Sequence, residues 1–434
     1  MSSSPYFFTD ATGRAVLLTG SHTWMNFQDA SFTDPPPAFN WPAYLDFLEQ
    51  HHHNFIRLWR WEQASGSTDT PTPNDLWFSP MPYLRSGPGN ARDGKPKFNL
   101  AQFNPAYFAR MRQRVLDAGQ RGIYVSIMLF DGWSIEKKGG VGNPWFGHPF
   151  QRDNNVNGID GDPNYDNEGL ETHTLQLPTI VALQEAYVRQ VVDAVNDLDN
   201  VLYEISNESR PGTGAEAWQA HMIAYVKQYE AGKGKQHPVG MTSLYPGGNN
   251  ADLFASAADW ISPNGAMSDP PAADGRKVIL NDSDHLCGTC FVEPWVWESL
   301  TRGLNPIFMD PYDGAFPVLE HHDLSDPALE LVRLNLGYAR TYATRMNLAA
   351  MQPRGDLASS GYCLANPVAQ GAEYLVYLPS GGSVTVNLSA TSGTLTVEWF
   401  DPNTGQTISG GTTSGGASRS FTAPTSGDAV LYLH

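Results

Sequence analysis

LYEISNES, residues 202 to 209, is the stretch on which the fold turns. It reads as a buried strand that stops at Asn207-Glu208 and breaks into RPGTG, residues 210 to 214. A carboxylate at the end of an apolar strand is costly to desolvate, so its position needs a reason.

Working outward, the same texture recurs. Strands are expected at AVLLTGS (15 to 21), FIRLWRW (55 to 61), GIYVSIMLF (122 to 130), NVLYEIS (200 to 206), PVGMTSL (238 to 244), WISPNG (260 to 265), KVILND (277 to 282) and NPIFMD (305 to 310). Between them lie segments with apolar residues three and four apart, such as WPAYLDFLEQ, AYFARMRQRVLDAG and PALELVRLNLGYARTYATRM. Near-continuous apolar strands alternating with amphipathic helices imply a parallel sheet covered on its outer face. Eight units predict an α/β (β/α)8 barrel over residues 1–352, with its active site at the C-terminal ends of the strands.

From about residue 355 the pattern becomes short alternating runs rich in Val, Thr and Tyr, split by Gly, Ser, Asn and Pro, as in GAEYLVYLPSGGSVTVNLSATSG. This predicts a small antiparallel β-sandwich over 353–434.

The balance of 27 Lys and Arg against 45 Asp and Glu, with no basic run, argues against nucleic acid or an anionic membrane as partner. No apolar run reaches a membrane span, and MSSSPYFFTD lacks the features of a signal peptide. The expectation is a cytosolic chain, or a secreted or periplasmic one whose signal was trimmed and Met1 added. Three cysteines cannot form a disulfide framework; CGTC, 287 to 290, is expected to be a loop pair, with a disulfide open to it. Composition leaves the oligomeric state undetermined.

The strand ends gather carboxylates: Glu208 after strand four, Asp282 and Asp284 after strand seven, Asp131 after strand three and Asp310 after strand eight, with Arg57 in strand two. Glycoside hydrolysis needs two carboxyl groups, one protonated as general acid and one ionised to attack or to activate water. A partly desolvated Glu208 would have a raised pKa and serve as the acid.

The Asn-Glu pair ending strand four resembles that of the clan of retaining (β/α)8 glycosidases. More closely, YFFTDATGRAVLLTGSHTW, DSDH followed by WVWESLTRGLNPIFMDPYDG, and YCLANP with EYLVYLPSGG resemble the apiosidase-like glycoside hydrolases, whose C-terminal β-sandwich carries a collagen-binding label. The resemblance implies that Glu208 is acid and base, that Asn207 bonds the hydroxyl beside the anomeric carbon, and that Arg57 positions the nucleophile. The clan's nucleophile is usually Glu; here Asp282 takes the aligned place, with Asp284 close behind.

Trp24, Trp59, Trp61, Trp133, Trp145 and Trp295 are expected in or near strand-end loops, where an indole stacks on a sugar face or simply joins the core. His22 and His285 are further candidates for hydroxyl recognition, and Asp131 and Asp310 read as substrate-hydroxyl ligands or structural caps. His51, His52 and His53 precede strand two and read as a surface cluster on the far face rather than a metal site. The acidic run DGDPNYDNEGLE, 160 to 171, has calcium-loop spacing but carries Tyr165 where the loop wants Gly, so a solvated loop is favoured, with calcium the alternative. No organic cofactor is expected, because no Gly-rich phosphate loop follows a strand. Long loops at 62 to 101 and 131 to 176 favour a walled pocket and exo action on carbohydrate. Two rivals stand beside the glycosidase: a non-catalytic carbohydrate- or matrix-binding barrel, and a metal-dependent hydrolase or lyase using the acidic loop.

Overall fold

The computed structural model describes residues 4–72, 74–314, 316 and 323–434; Met1 lies outside them. Eight parallel strands form one sheet: β1 (Gly20–His22), β2 (Phe55–Leu58), β3 (Tyr124–Asp131), β4 (Val201–Asn207), β5 (Val239–Thr242), β6 (Trp260–Ser262), β7 (Val278–Asp282) and β8 (Asn305–Met309). From β2 to β8 each pairs with the next in sequence, and β8 returns to β1. The remaining gap closes where the Asn54 N–H donates to the Thr19 carbonyl at 3.0 Å and the Ser21 N–H donates to His53 Nδ1 at 3.2 Å. The result is the expected (β/α)8 barrel.

Among the described residues seven helices cover it: α1 (Trp41–Gln50), α2 (Pro105–Gln120), α3 (Pro178–Val195), α4 (Ala215–Glu230), α5 (Asn250–Ala255), α6 (Pro294–Thr301) and α7 (Pro327–Arg345). Asn40, Asn104 and Asp326 cap α1, α2 and α7 with side-chain oxygens, each with a proline at the first or second helical position. The β6–β7 connection carries no helix, so the eight-unit expectation is one helix short. Strand one is also shorter than expected. Ala15–Val16 pairs with Phe8–Thr9, and the Leu18 N–H is taken by the Asn305 side chain at 3.1 Å instead of a ladder partner. No helix among the described residues is long and apolar enough to cross a membrane.

His53 departs from the expected surface cluster. It is buried, accepts from Ser21 and meets the Arg333 carbonyl on α7, so it helps close the barrel.

The C-terminal strands β9 (Gln352–Pro353), β10 (Cys363–Asn366), β11 (Glu373–Leu378), β12 (Ser383–Asn387), β13 (Thr394–Asp401), β14 (Gln406–Ser414), β15 (Ser418–Thr422) and β16 (Ala429–Leu433) are antiparallel. They form a six-stranded sheet in the order β9-β10-β11-β16-β13-β14 and a β12-β15 pair packed over it. This unit docks through an aromatic seam: Trp297 of α6 lies 5.8 Å from Tyr342 of α7 and 5.7 Å from Phe400 of β13, ring centre to ring centre. Sandwich and barrel therefore share a core.

Candidate active site

The centre of the site is Arg57, which β2 points inward and which is buried. Its Nε and Nη2 grip Glu204 of β4 at 2.9 and 2.6 Å, and Nη2 also donates to Asn207 Oδ1 at 2.8 Å. Nη1 reaches Asp282 at 3.0 Å and Asp284 at 2.9 Å. A buried guanidinium with a bidentate partner has one orientation only, so Arg57 fixes three strand ends relative to each other.

The two aspartates differ in depth. Asp282 is completely buried; His22 Nε2 lies 3.0 Å from its Oδ1, which also accepts the Asp284 N–H and so caps the single 3-10 turn Ser283–His285. Burial pushes its carboxyl up, but His22 and Arg57 outweigh that and hold it well below the usual range. The turn lifts Asp284 outward, where it keeps one oxygen on Arg57 and lines the cavity above. Of the pair, Asp284 is the one a ligand can touch.

Glu208 follows β4 with φ of +44°, a left-handed conformation that is rare for a side-chain-bearing residue. Gly132 makes room for it: a Cβ there would stand 2.3 Å from the Glu208 carbonyl oxygen. Lys138 Nζ donates to that oxygen at 2.6 Å, and Trp133 Nε1 donates to Glu208 Oε2 at 2.5 Å. Burial first, and then the charge of Asp284, push the Glu208 carboxyl from 4.5 up to about 8. At neutral pH it carries a proton.

Above these groups lies a cavity of about 280 Å³ lined by Trp24, Trp59, Trp61, Trp133, Phe316 and Asp284, with Ser67, Thr68 and Asp69 on the strand-two loop. Phe316 stacks between Trp24 and Trp61, at 5.6 and 5.5 Å. Trp59 backs the Arg57 guanidinium at 5.0 Å and stacks on His22. Flat apolar walls with a few aimed polar groups suit the faces and edges of a sugar ring.

Several expected ligands lie below this cavity instead of lining it. His22 is committed to Asp282, and the buried His285 ring to Ser262 at 2.7 Å and Asn207 at 3.2 Å. Asp310 is ion-paired with Arg333 of α7 at 2.6 Å and also accepts the Tyr312 N–H. Asp131 is fully buried, accepts from Ser134 at 2.7 Å and from Asn207 Nδ2 at 3.3 Å, and burial pushes its carboxyl up to about 7. These placements share one cause: buried polar groups bond to each other. Trp145 and Trp295 are core residues.

Sequence reasoning missed Glu204, whose inward position in β4 follows from strand alternation, and Glu62. The buried Glu62 carboxylate accepts the Asp131 N–H at 2.8 Å and meets His173 at 3.0 Å and Arg60 at 3.3 Å, tying the loops after β2 and β3 together. Among the described residues no group of three or more His, Cys, Asp or Glu side chains is arranged to hold a metal. In the acidic loop, Asp162 turns inward onto the N–H groups of Asp166 and Asn167, and Asn164 bonds Asp166 and Glu171. Cys287 and Cys290 form a disulfide.

Two family models match parts of the chain: a domain of unknown function (DUF6298) over residues 72–244, and the "Putative collagen-binding domain of a collagenase" over 359–434. Comparison with curated proteins finds no match. Among solved structures, one described as a glycoside hydrolase is 12% identical, with 98% of this chain and 94% of that one covered and a TM-score of 0.60. A family 5 glycoside hydrolase from Bacteroides vulgatus ATCC 8482 is also 12% identical, covering 98% and 90%, with a TM-score of 0.59. At that identity the likeness is one of fold, and it extends across both the barrel and the sandwich.

Proposed function

We propose that the chain is a glycoside hydrolase acting through Glu208 and Asp284. The observation that carries this reading is the pairing itself: a buried Glu208 pushed to about 8 beside a cavity-lining Asp284 that Arg57 holds. Trp133 occupies Glu208 Oε2, which leaves Oε1 to carry the proton toward the glycosidic oxygen. Asp284 has Oδ2 on Arg57 and keeps its second oxygen for the anomeric carbon. After the leaving group departs, the deprotonated Glu208 takes a proton from water, which attacks the glycosyl ester.

A retaining mechanism needs carboxyls about 5 to 5.5 Å apart. It is supported by the resemblance of the Asn207-Glu208 strand end to the clan of retaining glycosidases. Exo action is supported by the walls: the Gly142 N–H donates to the Thr68 carbonyl at 2.8 Å and the Ala64 N–H to the Gly147 carbonyl at 3.0 Å, so the two long loops close one side of the cavity as a unit. The sequence motifs shared with apiosidase-like enzymes extend the reading to furanosides.

The test is hydrolysis of aryl furanosides and pyranosides by wild type, Glu208→Ala and Asp284→Ala, with azide present and product anomers followed by NMR. Activity lost in both variants, with azide restoring glycosyl azide formation in Glu208→Ala and the first product retaining configuration, supports the assignment. An Asp282→Ala variant that behaves as a dead nucleophile while Asp284→Ala stays active would reverse the two aspartates. A folded wild type inactive on every substrate would favour the carbohydrate- or matrix-binding reading, for which the 359–434 match is the motive.

A further inference from the structure

The charge balance around the cavity is one-sided. Arg57 is the guanidinium beneath it and is already shared among Glu204, Asp282 and Asp284, so three carboxylates meet one cation. Lys138, beside Glu208, is neutralised by Glu136 at 2.6 Å and spends its other donors on two carbonyls. Among the described residues lining the cavity, Asp69 and Asp284 are acidic and none is Lys or Arg.

Asp69 stands on the loop after β2 at the cavity wall. Its neighbours Ser67, Thr68 and Thr70 are buried, while Asp69 is exposed and faces the cavity. The run is seated rigidly, because a Cβ on Gly142 would stand 2.0 Å from the carbonyl oxygens of both Ser67 and Thr70. The Ser67 and Thr68 hydroxyls make long 3.3 Å bonds to Asp69 Oδ2, and Oδ1 accepts no hydrogen bond from the described residues. A fixed backbone therefore presents an acceptor-only oxygen to whatever occupies the cavity.

We propose that Asp69 is a specificity residue that takes a hydrogen-bond donor from the glycone, so that the cavity admits rings bearing hydroxyl or ammonium groups and rejects those bearing a carboxylate. This rests on the cavity being a sugar site, as proposed above, and not on the catalytic assignment. Rejection follows because a uronate would enter a space walled by Asp69 and Asp284 with no free cation among the described residues to meet it. Donor recognition follows because an acceptor-only oxygen that loses its water to a ligand bringing no donor costs binding energy.

The experiment is calorimetric titration of the full chain carrying Glu208→Gln, which slows turnover where Glu208 is the acid, with phenyl glycosides in matched neutral, 2-amino and uronate forms of several sugar series. The expected result is binding of the neutral or amino form about tenfold or more tighter than the uronate. Adding Asp69→Asn is expected to shrink that ratio to about threefold or less, and Asp69→Lys to invert it. An amino form favoured over the neutral one assigns the donor as ammonium; parity assigns it as hydroxyl. A uronate that binds as well as its neutral counterpart, or a ratio unmoved by Asp69→Asn in a variant of unchanged circular dichroism, overturns this proposal alone. No binding in any series overturns it together with the sugar-site reading.

Discussion

At the seam between barrel and sandwich, Trp297, Tyr342, Phe400 and Tyr432 pack ring against ring, and the Arg345–Glu398 ion pair sits at its edge. At the C-terminal rim of the barrel, equally deep, Arg57 is surrounded by carboxylates, Glu208 holds a left-handed backbone, and His22 Nδ1 and Trp59 Nε1 are buried without a partner. The seam is mainly aromatic packing, whereas the rim gathers charge and a left-handed backbone, both departures from the rules of a stable interior. Departures concentrated where the barrel fold places chemistry are what a functional site looks like.

The largest effect should come from the rim and be seen in rate, not in stability. Glu208→Gln is expected to lower kcat on glycosides with poor leaving groups by about 10²–10⁴-fold, the range of general acid catalysis. Its melting temperature is expected to hold or rise, because an amide does not have to take up a proton on folding as Glu208 does at neutral pH. A Glu208→Gln protein that melts well below wild type would mean that Glu208 belongs to the scaffold and that the contrast with the seam is false.

Phe400→Ala should do the converse. Removing a buried ring that contacts Trp297, Tyr338 and Tyr342 is expected to cost about 3–5 kcal/mol, read from denaturant unfolding, with kcat per folded molecule unchanged. If activity falls with stability, the sandwich props the rim, and the two regions are one cooperative device.

The comparison also shows what the sequence made legible. Barrel strands and helices were readable because their periodicity is local: Val201–Asn207 is apolar enough to be a strand whatever surrounds it. Asn207-Glu208 and the Asp282/Asp284 pair were readable because strand ends have a fixed meaning in this fold. Partnership was not. Asp310 looked like a ligand because Arg333, which neutralises it, lies 23 residues on in a helix that reads simply as amphipathic. Glu204 went unnoticed because its partner Arg57 is 147 residues away. The depth difference between Asp282 and Asp284 depends on a single turn at 283–285, below the grain of any pattern.

The pH dependence sharpens the comparison further, since each region holds one buried acid of the same kind. At the seam, Glu293 has a buried oxygen without a partner and is pushed up to about 8 by burial and then by Asp428. For both Glu208 and Glu293 the folded value exceeds the unfolded value of 4.5, so the folded state binds more protons between them. Stability is then fully present below about 4.5 and is lost as pH rises through about 8. Unfolding measured from pH 5 to 9 should decline, and Glu208→Gln and Glu293→Gln should each flatten the decline. Only Glu208→Gln should also remove the alkaline fall in kcat; a Glu293→Gln variant with an altered rate profile would join the two regions electrostatically.

The smallest effect is expected at the edge of the seam. Arg345 is paired with Glu398 at 2.7 and 2.8 Å and lies over the Tyr342 and Tyr432 rings at 4.8 and 5.2 Å. It is also more than a third exposed. Water and salt screen such a pair, and Glu398 keeps the Tyr342 hydroxyl as a donor when the guanidinium is gone. Arg345→Met preserves the aliphatic cover of the rings and removes only the charge. The expected loss is therefore about 1 kcal/mol or less, shrinking further in high salt. A loss several times larger and insensitive to salt would show that the seam, like the rim, is held by a desolvated charge, and its aromatic packing would then be secondary to that pair.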